Sequence, residues 1–220
     1  METPQGNRTF VIGLLFGTVA AASFGASGPL AKGLLSAGWS ANAAVTWRVS
    51  IGAVVLLPFG LLALKGRWHT LLLGWKRILM FGFVSVAVVQ LAFFLSIRTL
   101  PVAVALLIEY LGIVMVVVWL WLKRGERPRP LTIVGAVLSI LGLVLVLDVF
   151  GAQGVDPVGA LWALLAGVGL ASYFLISAET SDGLPGLTLA STGLLVGAVV
   201  LALAGVTGLA PLHWNTQAVE

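Results

Sequence analysis

The sequence predicts an all-α membrane protein of about seven transmembrane helices, and three observations carry that prediction. Seven apolar runs each come close to the roughly 20 residues needed to cross about 30 Å of hydrocarbon. Of the 220 residues 60% are hydrophobic and only 9% are charged, with a mean hydropathy of +1.10. A soluble domain carries about 25% charged residues, so this chain could not cover its own surface in water. Finally, its basic residues gather in alternate connections between the runs.

The runs are Phe10–Leu30, Ala43–Leu64, Ile78–Ile97, Val102–Leu122, Leu131–Leu147, Val158–Ser177 and Leu187–Leu209. None alternates with period two between polar turns, which argues against a membrane β-barrel. The first run lacks a small-residue cleavage site, so it is expected to stay as a helix. Pro101 suits the first turn of the fourth helix, where its missing N–H is not needed. Gly13/Gly17, Ala163/Gly167 and Gly193/Gly197 are spaced four apart and should let helices approach closely. Trp39, Trp68, Trp75 and Trp214 lie in or beside connections, where anchoring at the headgroup level is expected. There is no cysteine, and His69 and His213 fall in separate polar connections, so no disulfide, metal site or cofactor is expected.

Charge sets the orientation. A net charge of +4 could suggest nucleic acid as a partner, but the basic residues form short clusters between apolar runs, where membrane topology explains them. With a cytoplasmic N-terminus, the inner segments hold Arg8, Lys65, Arg67, Lys76, Arg77, Lys123, Arg124, Arg127 and Arg129. The outer segments hold only Lys32 and Arg98, a split of nine against two that satisfies the positive-inside tendency. The connection Asp148–Asp156 is acidic and agrees with an outer location. A multi-pass membrane protein with a cytoplasmic N-terminus follows, and a bacterial inner membrane is the expected location.

Arg48 and Glu109 are the charges well inside the runs. An ionised side chain in hydrocarbon costs at least about 2.5 kcal/mol on insertion scales, so it persists where it is paired or lines a wet cavity. Arg48 lies roughly 8 Å and Glu109 roughly 10 Å from the outer start of its run, with Gln90 at a comparable depth. One reading makes this layer a substrate site: Arg48 binds a carboxylate, and Glu109 attracts an ammonium group or exchanges a proton. The other makes Arg48 and Glu109 an ion pair that fixes packing. Tyr110, Ser23, Ser27 and Tyr173 are further candidates for the pathway. Serines in such helices, Ser172 among them, more often bond a backbone carbonyl.

The first run contains Ala22-Ser23-Phe24 and the sixth Ala171-Ser172-Tyr173-Phe174, which suggests a repeat of five helices. An odd unit must insert its second copy inverted. The expected division is residues 1–148 as a first five-helix repeat and 157–220 as two helices of a second. The polar stretch Asn215–Glu220 then reads as a loop toward further helices, in a C-terminally incomplete copy of a protein of about 300 residues.

Ala105–Gly112, Leu131–Ala136 and Leu141–Leu147, with the Gly17–Gly28 segment and Arg48 early in the second helix, resemble EamA-type transporters of the drug/metabolite transporter superfamily. Glu109, an aromatic at Tyr110 and Gly112 are similar to the threonine/homoserine exporter branch, although Ile113 stands where those relatives often have proline. The resemblance implies ten helices, a central substrate cavity and alternating access, without ATP or a prosthetic group. It implies lipid and a small-molecule substrate as partners, and leaves a homodimer open. A proton-coupled permease exporting small metabolites, with amino acids as one class, is the leading expectation. A non-transporting truncated remnant and a seven-helix receptor-like protein are the alternatives. The receptor reading meets two objections: such chains start outside, and the seventh run has no lysine for a retinal Schiff base. A membrane enzyme would need a catalytic cluster that the runs do not offer.

Topology is directly testable in a chain free of cysteine. Single cysteines at His69 or Glu126 should resist a membrane-impermeant maleimide in intact cells and react after permeabilisation. Labelling of either from outside would invert the orientation.

Overall fold

A computed structural model describes residues 4–146, 156–179 and 183–214. Each apolar run becomes a helix: α1 Pro4–Ser36, α2 Ala41–Ala63, a short α3 His69–Leu73, α4 Trp75–Ser96, α5 Val102–Arg124, α6 Pro130–Val146, α7 Pro157–Ala178 and α8 Gly186–Val206. Six of them are long and apolar enough to cross a bilayer, and α6, at 17 residues, is shorter. The expected end of the fifth run at Leu147, the acidic connection up to residue 155 and the Asn215–Glu220 stretch lie outside the described residues.

Local chemistry places the helix ends. Ser40 caps α2 by accepting from the Ala43 N–H at 3.1 Å, and Asp156 caps α7 by accepting from the Gly159 N–H at 2.7 Å, with Pro157 at the first helical position. Gly125, at φ 68°, closes α5 in the left-handed conformation that costs glycine nothing. Pro101 differs from expectation. It stands just outside α5 with an extended ψ of 141°, and its carbonyl receives the Ala105 N–H at 3.0 Å.

Five helices form the packed body. α2 lies along α8, while α7 packs against α5 and the C-terminal half of α4; α1 and α6 touch the body only lightly. Close approach depends on residues without bulk. A Cβ on Gly112 of α5 would strike the Gly167 carbonyl of α7, and one on Gly167 would sit 3.0 Å from the Glu109 carbonyl. Ala163, one turn before Gly167, is fully buried. Gly193 and Gly197 of α8 meet Phe81, Val86 and the Gly82 carbonyl of α4 in the same way. Gly13 and Gly17 do not behave as their spacing predicts: a Cβ on either would meet no neighbouring helix within 4 Å, because that part of α1 stands away from the body. Trp39 and Trp214 also do more than flank the helices, since their rings meet edge to face with centroids 5.4 Å apart.

α4 is not a plain α-helix. Its middle, Phe81–Val88, is π-helical, and i→i+5 bonding puts more residues in each turn. Side chains beyond Val88 therefore face a direction that a straight α-helix would not give them. Gln90 is among these.

The two ends of the bundle differ in charge. At one end lie Lys65, Arg67, Lys76, Arg77 and the residues after Lys123, flanking the α2–α4 and α5–α6 connections. Arg77 also has a structural task there: Nε donates to the Ile176 carbonyl at 3.0 Å and Nη2 to the Ser177 carbonyl at 3.3 Å. A cation on the last carbonyls of α7 satisfies groups the helix leaves unpaired. The opposite end carries Lys32, Arg98, Asp156 and His213.

The glycine seam makes a prediction. Gly112→Leu should lower the unfolding midpoint in detergent, at a cost of about 1–3 kcal/mol for overpacking, whereas Gly17→Leu should leave it unchanged. Equal midpoints would mean that α5 and α7 are not in backbone contact.

Candidate functional site

Inside hydrocarbon every polar atom needs a partner, and most buried polar side chains of this bundle have one. Thr188 donates to the Gly60 carbonyl at 2.7 Å, Ser191 to the Thr188 carbonyl at 3.1 Å, and Ser96 to the Phe93 carbonyl at 2.8 Å. Asn42 donates to the Leu201 and Ala210 carbonyls at 3.1 and 2.6 Å and accepts from Thr46 at 3.3 Å. Among the described residues two buried side-chain atoms have no hydrogen-bond partner, Ser85 Oγ and Glu109 Oε2. The second is the more costly, because it belongs to a carboxyl group that is 3% exposed.

Glu109 faces an enclosed space of about 20 Å³, room for about one water molecule. Arg48, Gln90, Ser27, Phe93 and Leu106 complete its walls. Four helices contribute: Ser27 from α1, Arg48 from α2, Gln90 and Phe93 from α4, and Leu106 and Glu109 from α5. Arg48 and Glu109 each stand seven residues from the start of their helices and Gln90 six from the end of its own. All three therefore lie at one level, about 10 Å from the same end of the bundle.

Arg48 does not make the direct ion pair that was one of its two expected roles. Its Nη1 donates instead to Gln90 Oε1 at 3.1 Å, and its guanidinium stands over the Phe94 ring, 6.0 Å from the centroid, a cation–π contact that tolerates burial. Arg48 and Glu109 still line the same cavity. Such an arrangement leaves both groups able to take a ligand. A fork of N–H donors suits a carboxylate, and an unpartnered carboxyl oxygen suits an ammonium group or a proton.

The other candidates lie elsewhere. Ser23 is on the exposed face of α1. Tyr110, one residue after Glu109, points into the groove between α5 and α6 and is 43% exposed. Tyr173 packs against Phe81 and Phe174, with ring centroids 5.3 and 5.4 Å away, and does not line the cavity. Ser172 bonds the Val168 carbonyl of its own helix at 3.0 Å, as expected. Phe93 and Leu106 carried no sequence signal as wall residues, since they are apolar residues in apolar runs.

The family description for EamA-like transporters matches residues 11–148. The chain belongs to the EamA-like transporter family. It is also similar to the threonine/homoserine exporter RhtA of Escherichia coli K12, 29% identical over 201 residues that make up 90% of this chain and 64% of that exporter. The RhtA of Salmonella typhimurium SL1344 is 27% identical over 172 residues, 76% of this chain and 54% of the relative. The chain thus spans less than two thirds of the length of these relatives. No solved structure matches it. The likeness to threonine/homoserine exporters drawn from Glu109, Tyr110 and Gly112 agrees with these relatives.

Double-mutant cycles on unfolding should separate the contacts of Arg48. Arg48 and Gln90 should couple by about 1.5–3 kcal/mol, the range for hydrogen bonds to charged groups, and Arg48 and Glu109 by less. The reverse order would restore the structural ion pair.

Proposed function

We propose that the chain acts in a secondary transporter that exports small metabolites, amino acids among them, from the cytoplasm of a bacterium. The basic end faces the cytoplasm in this reading, and the N-terminus with it. The observation that carries the proposal is the convergence of Arg48, Gln90 and Glu109 on one buried cavity, with a carboxyl oxygen of Glu109 left without a hydrogen-bond partner. A purely structural pair would be expected to satisfy itself. The kinship with exporters named for threonine and homoserine supports an amino-acid substrate.

The chemistry follows from the residues. The guanidinium of Arg48, oriented by Gln90 and Phe94, would hold the carboxylate of a zwitterion. Glu109 would receive its ammonium group, and in the empty site a proton would take that place. One carboxyl serving both exchanges the substrate for a proton, which couples export to the proton gradient. A space of about 20 Å³ cannot hold an amino acid, since ligand pockets run to roughly 300–1,000 Å³. The arrangement is therefore an occluded one, and loading requires a wall to move. α1, which supplies Ser27 and touches the body lightly, is the wall with least packing to lose. Rocking of such elements around a central site is alternating access.

Cells overproducing the protein should lose labelled threonine faster than cells carrying Arg48→Ala or Glu109→Gln. We expect each variant to reduce the rate at least about tenfold, equivalent to about 1.4 kcal/mol. Glu109→Gln should also make the remaining efflux insensitive to the proton gradient. Equal efflux by wild type and both variants, at equal membrane amounts, would refute the site and favour an inert membrane remnant.

A further inference from the structure

Lys32 and Arg98 break the charge pattern, since they lie at the end that is otherwise poor in cations. They come from different elements, α1 and the turn between α4 and α5, yet both line one cavity of about 580 Å³. His213, from the segment after α8, lines it too, and Leu35, Trp39 and Ile97 supply apolar wall. No carboxylate is among the described residues that line it. Asp156, at the same end, is bound to Thr99 Oγ1 and the Gly159 N–H, both at 2.7 Å.

The walls are built rather than incidental. The Ala210 and Pro211 carbonyls receive Asn42 Nδ2 at 2.6 Å and Ser40 Oγ at 2.8 Å. The Ser40 N–H donates to the His213 carbonyl at 3.0 Å, and the His213 N–H donates to Ser40 Oγ at 3.1 Å. These bonds strap the segment after α8 across the start of α2 and bring His213 to the cavity. Lys32 Nζ donates one proton to the Leu100 carbonyl at 3.2 Å, which holds the ammonium beside the turn that carries Arg98. An ammonium has three donors.

This cavity stands in line with the one at Glu109. On α4, Phe93 lines the inner space and Ile97, one turn on and about 6 Å away, lines the outer. On α1, Ser27 lines the inner space and Lys32, five residues and about 7.5 Å on, lines the outer. Between the two levels α1 passes so close to α5 that a Cβ on Gly28 would lie 2.5 Å from Val102 Cγ1. The two spaces thus lie at successive levels along α1 and α4.

We propose that the chamber lined by Lys32, Arg98 and His213 is a second binding site, on the exit side, for the carboxylate of a small zwitterion or monocarboxylate. Two cations and an imidazole in a cleft with apolar walls concentrate anions, and Arg98 offers a carboxylate the planar fork it prefers. The identity of the ligand rests on the export reading. The site itself would delay release and let external product slow further export.

The test uses the purified protein in phosphatidylcholine nanodiscs, with saturation-transfer NMR of threonine, acetate and threonine amide. Threonine and acetate should give signals and the amide, which lacks the carboxylate, should not. Arg48→Gln, which disables the inner site, should keep those signals. Adding Lys32→Gln and Arg98→Gln should cut them at least tenfold, and restoring the charge with Lys32→Arg and Arg98→Lys in the same background should bring them back. Loss of all signal in Arg48→Gln alone would overturn the proposal. So would signal that survives the triple variant, or failure of the charge-restored variant to bind while remaining folded. Signals abolished by 10% phosphatidylglycerol in the nanodiscs would assign the chamber to a lipid headgroup and also overturn it. None of these outcomes depends on efflux, so failure of the export reading would appear separately, as equal threonine loss with Arg48→Ala.

Discussion

Hydrocarbon offers no hydrogen bonds, and the rest of this structure follows from that. An unsatisfied backbone or side-chain polar group costs several kcal/mol in the bilayer core. The buried hydroxyls of Thr188, Ser191 and Ser96 therefore bond carbonyls, and Asn42 spends its amide on two of them. Against that background the unpartnered oxygen of Glu109 is conspicuous. A group that costs so much to leave open, in a bundle where most buried polar side chains are satisfied, is the basis of the proposed substrate site.

The site depends on how closely the backbones meet. Gly112 and Gly167 bring α5 and α7 into direct contact one turn from Glu109, and there is no room for a side chain between them. On the other side the π-helical stretch Phe81–Val88 shifts the phase of α4 ahead of Gln90. Stretches of this kind are often found at functional sites, and here the result is a bond from Arg48 to Gln90 rather than to Glu109. A guanidinium held by a neutral amide and an aromatic face keeps its charge available. Paired with Glu109, it would have given that up.

Charge organises the two ends differently. At the basic end charge serves packing as well, since Arg77 closes the last carbonyls of α7. At the opposite end the few polar residues knit connections together: Ser40 and Asn42 hold the segment after α8, and Asp156 holds Thr99. The body between these ends rests on α2, α4, α5, α7 and α8, whereas α1 and α6 lie against it lightly. A firm body with looser outer helices is the mechanical arrangement that alternating exposure of a central site would use.

Much of this was legible in the sequence, and for identifiable reasons. Hydropathy summed over some 20 residues is insensitive to detail, so the helices and their order could be read directly, as could the asymmetry of the basic connections. The depth of Arg48, Gln90 and Glu109 needed only the rise per residue, and Ser27 joined them. Rotation about the helix axis was another matter. Ser23, Tyr110 and Tyr173 sit on similar helices but face outward or against other rings, because the direction of a side chain depends on how each helix is turned against its neighbours. The glycine pair on α1 had the same spacing as the small-residue pairs on α7 and α8, yet no neighbour approaches it, since spacing permits contact without supplying a partner. The partners of Arg48 and the meeting of Lys32, Arg98 and His213 were decided by tertiary packing alone, because each joins residues from elements distant in the chain.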